Sequence, residues 1–196
     1  PGLKVVAPSN AYDAKGLLIE AIRDPDPVVF IEHKRLYMRK THVPEESYTI
    51  PFGQAAIVRE GTDVTIVGVQ KMVHTALDAA DALNDVGVSA EVIDPRTYSP
   101  LDTDTILASV AKTGRLVIVD ESHPRCSLAT DISALAAEHG FDRLLAPVKM
   151  VTGAHSPVPF SPPLEDHYLP STKRIVEAVM STVNHQGRTG NTAVTA

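Results

Sequence analysis

The sequence predicts an α/β domain with a mostly parallel sheet and helices on both faces, preceded by a strand-helix-strand remnant of another domain. Short apolar runs alternate with segments of helical apolar spacing throughout residues 57–183. Runs such as Val64–Val69 and Leu116–Val119 are almost wholly apolar, which is typical of strands covered on both faces. Strands and helices that alternate in this way form parallel sheets with right-handed crossovers.

Residues 1–32 predict a strand, a helix and a second strand. Val5–Ala7 is extended, and Asn10 is the predicted N-cap of the helix. The helix must end at Asp24–Pro27, because two prolines forbid its continuation. Three elements cannot build their own core, so they must pack on the next zone or on sequence outside the chain. Because the chain has no initiator Met and enters a strand at once, we expect it to begin inside a larger protein.

The remaining chain divides into three predicted zones. Residues 33–56 are polar and contain two prolines, which predicts a linker. Residues 57–183 predict a complete α/β domain, and residues 184–196 are small and polar, which predicts a disordered tail. The predicted elements of the domain are strands at 64–69, 89–94, 116–120 and 147–151, a proline-rich loop at 156–163, and four helices: one carries Val73–Leu83, one starts after Pro100, one carries Leu128–Leu135 and the last carries Ile175–Val179.

Composition excludes several classes of function. A net charge of −6 argues against a nucleic-acid binder, because phosphate contacts need concentrated Lys and Arg. The apolar runs are far shorter than the roughly 20 residues that span a bilayer, and no secretory signal opens the chain. The single cysteine, Cys126, excludes an internal disulfide and a thiolate zinc cage. We therefore expect a cytoplasmic protein.

The carboxyl ends of the predicted strands carry a small set of titratable side chains. Ligand sites of open parallel sheets gather at this edge. One hypothesis is that Asp94, Glu121 and His155 form an acid/base group. In the alternative, Asp94 caps a turn and pairs with Arg96, while Asp120 and Glu121 end a strand and accept amides of the next helix. The chain has no phosphate loop, nucleophile elbow or metal-ligand spacing of histidines.

The end of the first helix is a candidate cation site. The last carbonyls of a helix lack intrahelical partners and carry partial negative charge. Here they lie beside the carboxylates of Asp24 and Asp26. Hard oxygen donors of this kind suit a group IA or IIA cation. The alternative is a solvated Asp-Pro turn.

Motifs along nearly the whole chain resemble one family, the β subunits of thiamine-diphosphate-dependent 2-oxo acid dehydrogenases and of acetoin dehydrogenase. Two stretches, Pro44–Gly53 and His123–Ser127, are most similar to the acetoin branch. The motifs that carry the resemblance are Pro1–Ser9, Tyr12–Leu18, Asp26–Phe30, Glu32–Tyr37, Val92–Thr97, Lys112–Val117, Val119–Glu121, Pro157–Pro162 and Leu164–Pro170.

The resemblance implies a division of labour within a heterotetramer. Residues 1–32 would end a pyrimidine-binding domain, and the following domain, similar to that of transketolase, would build the subunit interface. The α subunit would hold the diphosphate of thiamine diphosphate and Mg²⁺. The family's catalytic glutamate and histidine would lie upstream of Pro1, so no catalytic or cofactor-binding residue is assigned here. The family's structural K⁺ site falls on the Ala21 main-chain carbonyl, Asp24 and Asp26.

The intact enzyme implied by the resemblance is an oxidoreductase subunit. It would cleave acetoin, or decarboxylate pyruvate or a branched-chain 2-oxo acid, and pass the acyl unit to the lipoyl arm of an acyltransferase. This portion would pair with the α subunit and a second β subunit. The Pro157–Pro163 loop and the last helix would contact the acyltransferase, unless the prolines only shape a surface loop. A non-catalytic interaction domain and the C-terminal domain of a transketolase-like enzyme, or of a deoxyxylulose-phosphate synthase, stay open as alternatives.

Overall fold

The computed structural model describes residues 2–185, which form two sheets and six α-helices. The strands are β1 Lys4–Val6, β2 Val28–Phe30, β3 Ala56–Arg59, β4 Val64–Gly68, β5 Ala90–Asp94, β6 Thr97–Ser99, β7 Leu116–Asp120 and β8 Lys149–Thr152. The helices are α1 Ala11–Arg23, α2 Lys71–Asn84, α3 Thr103–Thr113, α4 Leu128–His139, α5 Pro162–Tyr168 and α6 Thr172–Val183, with 3₁₀ turns at Lys34–Leu36 and Phe141–Arg143.

The larger sheet has the strand order β3-β5-β4-β7-β8, and all its pairs except β3–β5 are parallel. Helices α2 and α6 pack on one face, while α3 and α4 pack on the other. In β7, Val117 and Val119 enter the first core and Leu116 and Ile118 enter the second. Burial on both faces explains why these strands are almost wholly apolar. The predicted fold class is confirmed.

Side-chain caps and a left-handed glycine fix the ends of the helices. The Asn10 side chain accepts a hydrogen bond from the Asp13 N–H at the start of α1, as predicted. Asp102 accepts from the Thr105 N–H at the start of α3. That helix ends at Gly114, whose φ of 68° is a conformation that only glycine adopts without strain.

The smaller sheet joins residues 1–32 to the main domain. Its order is β2-β1-β6, with β1 parallel to β2 and antiparallel to β6. Because β6 follows β5 directly, the main domain supplies the third strand of this sheet. Val6, Leu17 and Ile50 form a small core beneath it. Of the two supports expected for the first three elements, the following chain supplies one: β6 pairs with β1, and the linker contributes Ile50 to their core.

Sequence periodicity misses β3, β6 and the short helix α5. Strands of three or four residues are too short to show an alternation of polar and apolar residues. The α5 helix begins with Pro162 and Pro163, where proline is well accommodated because the first helical N–H groups need no partner. Within residues 2–185, no helix is both long enough and apolar enough to cross a membrane. Most of the predicted tail, from residue 186, lies outside the described residues.

Candidate functional site

A buried polar network joins the start of α1 to the end of β5. The Ser9 hydroxyl donates to Asp94 Oδ2, and the Arg96 N–H donates to Asp94 Oδ1 at 2.9 Å. The Arg96 guanidinium pairs with Asp13, with 2.8 Å between Nη2 and Oδ1. Ser9, Asp13 and Asp94 are all buried. The network therefore holds α1 against the main domain.

Burial dominates the titration of Asp94. It raises the pKa of the Asp94 carboxyl to about 6, although hydrogen bonds from Ser9 and from the Arg96 N–H oppose the shift. The structure confirms that Asp94 caps a turn, through the backbone of Arg96. The Arg96 side chain turns instead to Asp13, because the first turn of α1 offers it a second buried carboxylate.

The linker touches the sheet edge at a second point. His33 Nε2 lies 2.6 Å from Glu121 Oε2, and both side chains are mostly buried. The Gln70 amide donates to the Ile31 carbonyl at 2.9 Å. Asp120 accepts from the Ser122 N–H at 2.9 Å. The prediction that Asp120 and Glu121 receive the amides of the next helix is therefore wrong, because the loop after β7 separates them from α4.

The three side chains of the acid/base hypothesis have separate partners. Asp94 binds Ser9, Glu121 binds His33, and His155 packs edge-to-face on His123 with 5.6 Å between ring centroids. Among residues 2–185, no group of three or more His, Cys, Asp or Glu side chains is placed to hold a metal ion. The geometry favours structural roles for these residues.

The turn after α1 carries the predicted cation ligands Ala21, Asp24 and Asp26. Lys4 Nζ lies 2.7 and 2.8 Å from the two Asp24 carboxylate oxygens and 3.1 Å from Asp26 Oδ2. These hydrogen bonds raise the pKa of Lys4, and the bond from Lys4 lowers the pKa of Asp24. Pro25, four residues after Ala21, has no N–H to donate to the Ala21 carbonyl. The Asp24 carboxylate is thus engaged by an ammonium, whereas the Ala21 carbonyl keeps its acceptor capacity.

Lys15 fastens α1 to the linker. Its ammonium donates to the carbonyls of Pro44, Glu45 and Glu46 and lies 5.0 Å from the centroid of the Tyr48 ring. Sequence reasoning missed this contact. A lysine on a helix surface carries no local signal, and its carbonyl partners lie about 30 residues further along the chain.

Two exposed apolar surfaces stand out. The first, here the α1/β2 face, consists of Leu18, Ile22 and Val29, of which Ile22 is 75% exposed. The apolar side chains of α1 are therefore only partly covered. The second, here the Phe160 patch, consists of Val158, Phe160 and Leu164 on the proline-rich loop and α5. Exposed large apolar side chains that occur in groups commonly mark interfaces.

The described residues define an α/β domain joined to a smaller second sheet, with polar contacts between the two parts and exposed apolar side chains on both. The chain belongs to the transketolase C-terminal domain family, whose model matches residues 53–175. The model of the transketolase pyrimidine binding domain matches residues 1–40.

Relatives among curated proteins agree with the motifs. The chain is 59% identical over 180 residues to the acetoin:2,6-dichlorophenolindophenol oxidoreductase subunit beta of Bacillus subtilis, covering 92% of this chain and 53% of the relative. The Cupriavidus necator protein of the same name is 58% identical over 93% of this chain and 54% of its own. The pyruvate dehydrogenase E1 component subunit beta of B. subtilis is 51% identical over 90% of this chain and 54% of its own. The resemblance is thus confirmed, and the chain spans about half the length of these relatives.

A solved structure shares the fold. It is described as a split gene transketolase, inactive beta4 tetramer, and superposes with a TM-score of 0.79 at 25% identity. The superposition covers 93% of this chain and 58% of the other. The likeness therefore extends over both sheets and across the junction between them. The predicted domain boundaries at residues 32, 56 and 183 stay predictions.

Proposed function

We propose that this chain is the C-terminal portion of the β subunit of a thiamine-diphosphate-dependent dehydrogenase complex. The intact enzyme cleaves acetoin, or oxidatively decarboxylates a 2-oxo acid, and passes the acyl group to lipoamide. This portion serves subunit assembly and docking of the acyltransferase, and it is inactive alone.

One observation carries the proposal: 59% identity over 180 residues to an acetoin oxidoreductase β subunit. The identity runs through both the strand-helix-strand piece and the main domain, since it spans 92% of this chain. Identity to the two acetoin relatives exceeds the 51% identity to a pyruvate dehydrogenase β subunit. Acetoin is therefore the first substrate to test.

The α1/β2 face supports the role in assembly. Leu18, Ile22 and Val29 lie on the piece that matches the pyrimidine-binding model, whose match covers only residues 1–40 of this chain. We propose that the preceding part of that domain covers this face in the intact subunit. The α subunit and a second β subunit would then pack around the assembled pair of domains.

We propose that thiamine diphosphate and Mg²⁺ bind outside this chain in the intact enzyme. The side chains show no cluster that could ligate a divalent ion, and the sequence has no glycine-rich phosphate loop. When bound, the cofactor supplies the electron sink for C–C cleavage. We propose that the α subunit and the preceding part of the β subunit hold it, and that this chain positions those parts.

The turn after α1 offers some, but not all, of the oxygen ligands that a K⁺ ion needs. The Ala21 carbonyl has acceptor capacity, and Asp26 Oδ1 is not engaged by Lys4, which binds Oδ2. The Asp24 carboxylate is held by Lys4, so Asp24 would contribute its main-chain oxygen. We propose that these three oxygens contribute to a K⁺ site completed by other segments of the intact subunit.

Replacement of K⁺ by Na⁺ tests this cation site in the assembled enzyme. We expect KCl to raise the melting temperature above that in equal NaCl, and Asp26→Ala to remove most of the difference. Asp142→Ala, which removes an exposed carboxylate elsewhere, should preserve it. Equal melting temperatures in both salts would contradict the site.

The Phe160 patch supports the proposed contact with the acyltransferase. The Phe160 side chain is fully exposed, and prolines at 157, 159, 162 and 163 restrict the backbone that presents it. A rigidly presented aromatic side chain loses little entropy on binding, and aromatic residues are common interface anchors. Arg35 and Glu165, 3.1 Å apart, tie the adjacent helix to the linker.

Reconstitution tests the proposed function. This chain would be joined to the preceding half of a β subunit and co-expressed with the matching α subunit, and acetoin- and pyruvate-dependent reduction of dichlorophenolindophenol would be measured. We expect thiamine-diphosphate-dependent turnover with at least one of these substrates. The same α subunit and preceding half without this chain should fail to assemble.

Two outcomes would contradict the proposal. Turnover by the 196-residue chain alone would show that it carries its own chemistry. An assembled complex that reduces no dye with acetoin, pyruvate or branched-chain 2-oxo acids would point to the transketolase-like alternative. The 25% identity to a split-gene transketolase keeps that alternative as the second candidate.

A further inference from the structure

Residues 34–40 form an exposed basic segment, here the basic ridge. Four of the chain's 18 Lys and Arg residues lie in this segment, which contains no Asp or Glu, although the whole chain carries a net charge of −6. All four are exposed, and one of them, Arg35, pairs with a glutamate of α5 at 3.1 Å. Lys34, Arg39 and Lys40 make no ion pair with any of residues 2–185. The ridge is therefore a positive surface with three unpaired cations on a negatively charged protein.

Backbone turns and two side-chain contacts hold the ridge in place. The Leu36 N–H donates to the His33 carbonyl at 2.9 Å, and the Arg39 N–H donates to the Leu36 carbonyl at 3.0 Å. The His33 ring contacts Glu121 at the edge of the larger sheet, and Arg35 binds α5. A surface that is already ordered loses less conformational entropy when a partner binds. The order of the ridge therefore favours docking.

The side chains that lie between these cations are of types common at interfaces. Met38 is 88% exposed and Tyr37 is 63% exposed. Tyr, Met and Arg are enriched at protein interfaces relative to the rest of the surface. The Tyr37 hydroxyl donates to Glu32 Oε2 at 3.2 Å, which orients the ring. Large apolar side chains exposed among cations indicate a surface that another polypeptide covers.

A cavity of about 220 Å³ lies between the ridge and the start of α1. Pro8, Ala11, Ala14 and Leu36 give it apolar walls, and Arg39 also lines it. Ala11 and Arg39 are exposed, so the cavity opens to solvent. It is smaller than the roughly 300–1,000 Å³ that is typical of small-molecule sites. Its size and lining suit an aliphatic side chain of a partner, with a charge close by.

The charges around the cavity restrict the partner further. Three unpaired cations favour a partner that brings carboxylates, because opposite charges steer and orient association. A long polyanion such as nucleic acid is disfavoured, since the protein has a net charge of −6 and Glu32 lines the same cavity. A polypeptide can place carboxylates at the cations alone and an aliphatic side chain between them.

We propose that the basic ridge docks an acidic segment of a partner polypeptide, with an aliphatic side chain in the cavity and carboxylates on Lys34, Arg39 and Lys40. None of the residues of this surface belongs to the α1/β2 face or to the Phe160 patch. The proposal does not depend on the function proposed above.

Binding of a model acidic peptide to the 196-residue chain tests the surface. The probe is fluorescein-labelled Glu-Glu-Leu-Glu-Glu-Leu-Glu-Glu-amide, followed by fluorescence anisotropy at pH 7. We expect saturable binding that weakens when NaCl is raised from about 50 to about 300 mM. A peptide with Gln in place of every Glu should bind about tenfold or more weakly, because it brings no charge. A peptide with Ser in place of both Leu should bind about fivefold more weakly, because it lacks the anchor.

Two changes in the protein separate the charge from the anchor. Arg39→Gln combined with Lys40→Gln should weaken binding of the Leu peptide about fivefold or more. Ala11→Leu fills the cavity from an exposed position, so it should weaken the Leu peptide but leave the Ser peptide unchanged. Arg125→Gln combined with Lys149→Gln is the matched control, because it removes the same charge at exposed positions outside the ridge and should preserve binding.

Several results would overturn the proposal. These are anisotropy that rises without saturation, equal binding of the Gln peptide, and equal losses in the ridge variant and its control. Tighter binding of an oligothymidylate than of the peptide would assign the ridge to nucleic acid. If the ridge variant alone abolishes concentration-dependent sedimentation of the chain, the ridge binds a second copy and the proposed partner is wrong.

Discussion

Two buried carboxylates show how a single partner sets the charge that a residue carries. Asp94 has a hydroxyl and a backbone N–H as partners, and burial raises its pKa to about 6. Burial also acts to raise the pKa of Glu91, but the hydrogen bond from Lys112 and the charge of its ammonium oppose it, and the pKa is lowered. Glu91 is therefore ionised at neutral pH, while Asp94 binds its proton more tightly in the folded state.

Asp94→Asn should change the pH dependence of stability. Because the folded-state pKa of Asp94 lies above its ordinary value of 3.8, its favourable contribution is fully present below about pH 4 and is lost as pH rises through 6. Asparagine does not titrate and can still accept from the Arg96 N–H and donate to Ser9. Between pH 4 and 7, the free energy of unfolding of the variant should therefore rise relative to that of the wild type by up to about 3 kcal/mol.

Urea denaturation at a series of pH values measures this difference. Asp142→Asn, at an exposed carboxylate, is the matched control and should track the wild type. A free-energy difference between Asp94→Asn and wild type that stays constant from pH 4 to 7 would contradict the assignment.

Lys112→Met should destabilise the fold by about 2–4 kcal/mol at pH 7. The variant leaves the fully buried Glu91 carboxylate without its counter-charge. The loss in free energy of unfolding should be smaller than for a wholly buried ion pair, because the Lys112 side chain is 41% exposed and solvent already screens its charge. The free energy of unfolding in urea gives the value.

A second substitution checks the physical reason. Adding Glu91→Leu should recover most of the loss, since Glu91 Oε1 also lacks a hydrogen-bond partner. Lys149→Met, which removes an exposed ammonium, should cost little. Equal stability of Lys112→Met and Lys149→Met would show that Lys112 does not stabilise Glu91.

At the scale of elements, contacts with the linker hold α1 in position as much as contacts with the sheet do. Ile50 of the linker packs with Val6 and Leu17, and Lys15 binds three linker carbonyls. Gly16 lies at the closest approach, where an added Cβ would stand 2.7 Å from Ile50 Cγ1. The linker is thus a structural part of the junction.

Gly16→Ala should destabilise the protein, although alanine favours helix by about 1 kcal/mol. The steric overlap with Ile50 and Tyr48 costs more, about 1–3 kcal/mol. The coupling free energy between Gly16 and Ile50 comes from a double-mutant cycle. Thermal unfolding is measured for Gly16→Ala, for Ile50→Ala and for the variant that carries both changes. In the Ile50→Ala background, Gly16→Ala should become neutral or stabilising; an equal penalty in both backgrounds would exclude the contact.

Across the whole molecule, the sequence predicts what depends on local periodicity and misses what depends on distant pairing. The all-apolar strand at Leu116–Val119 and the Asn10 cap of α1 are predictable because their causes are local. The union of β1 with β6 and the binding of His33 to Glu121 are not, because each partner carries no pattern of its own.

The α1/β2 face should make the isolated chain self-associate. Ile22 and Val29 are 75% and 42% exposed, and burial of such surface against another copy is favourable. Analytical ultracentrifugation from 5 to 200 μM should show growth in sedimentation coefficient with concentration. Ile22→Ser should reduce it.

Val86→Ser is the matched control, because Val86 is 62% exposed but lies after α2, away from this face. It should associate like the wild type. A wild-type chain that stays monomeric over this concentration range would contradict self-association through the α1/β2 face.

The union of β1 with β6 has a consequence for biosynthesis. Val6 pairs with Thr97, more than 90 residues later in the chain. At translation rates of about 5–20 residues per second, β1 leaves the ribosome roughly 5–20 s before its partner exists. During that interval one edge of the nascent strand stays open, so chaperones that shield apolar nascent segments would have time to engage β1 before β6 covers it.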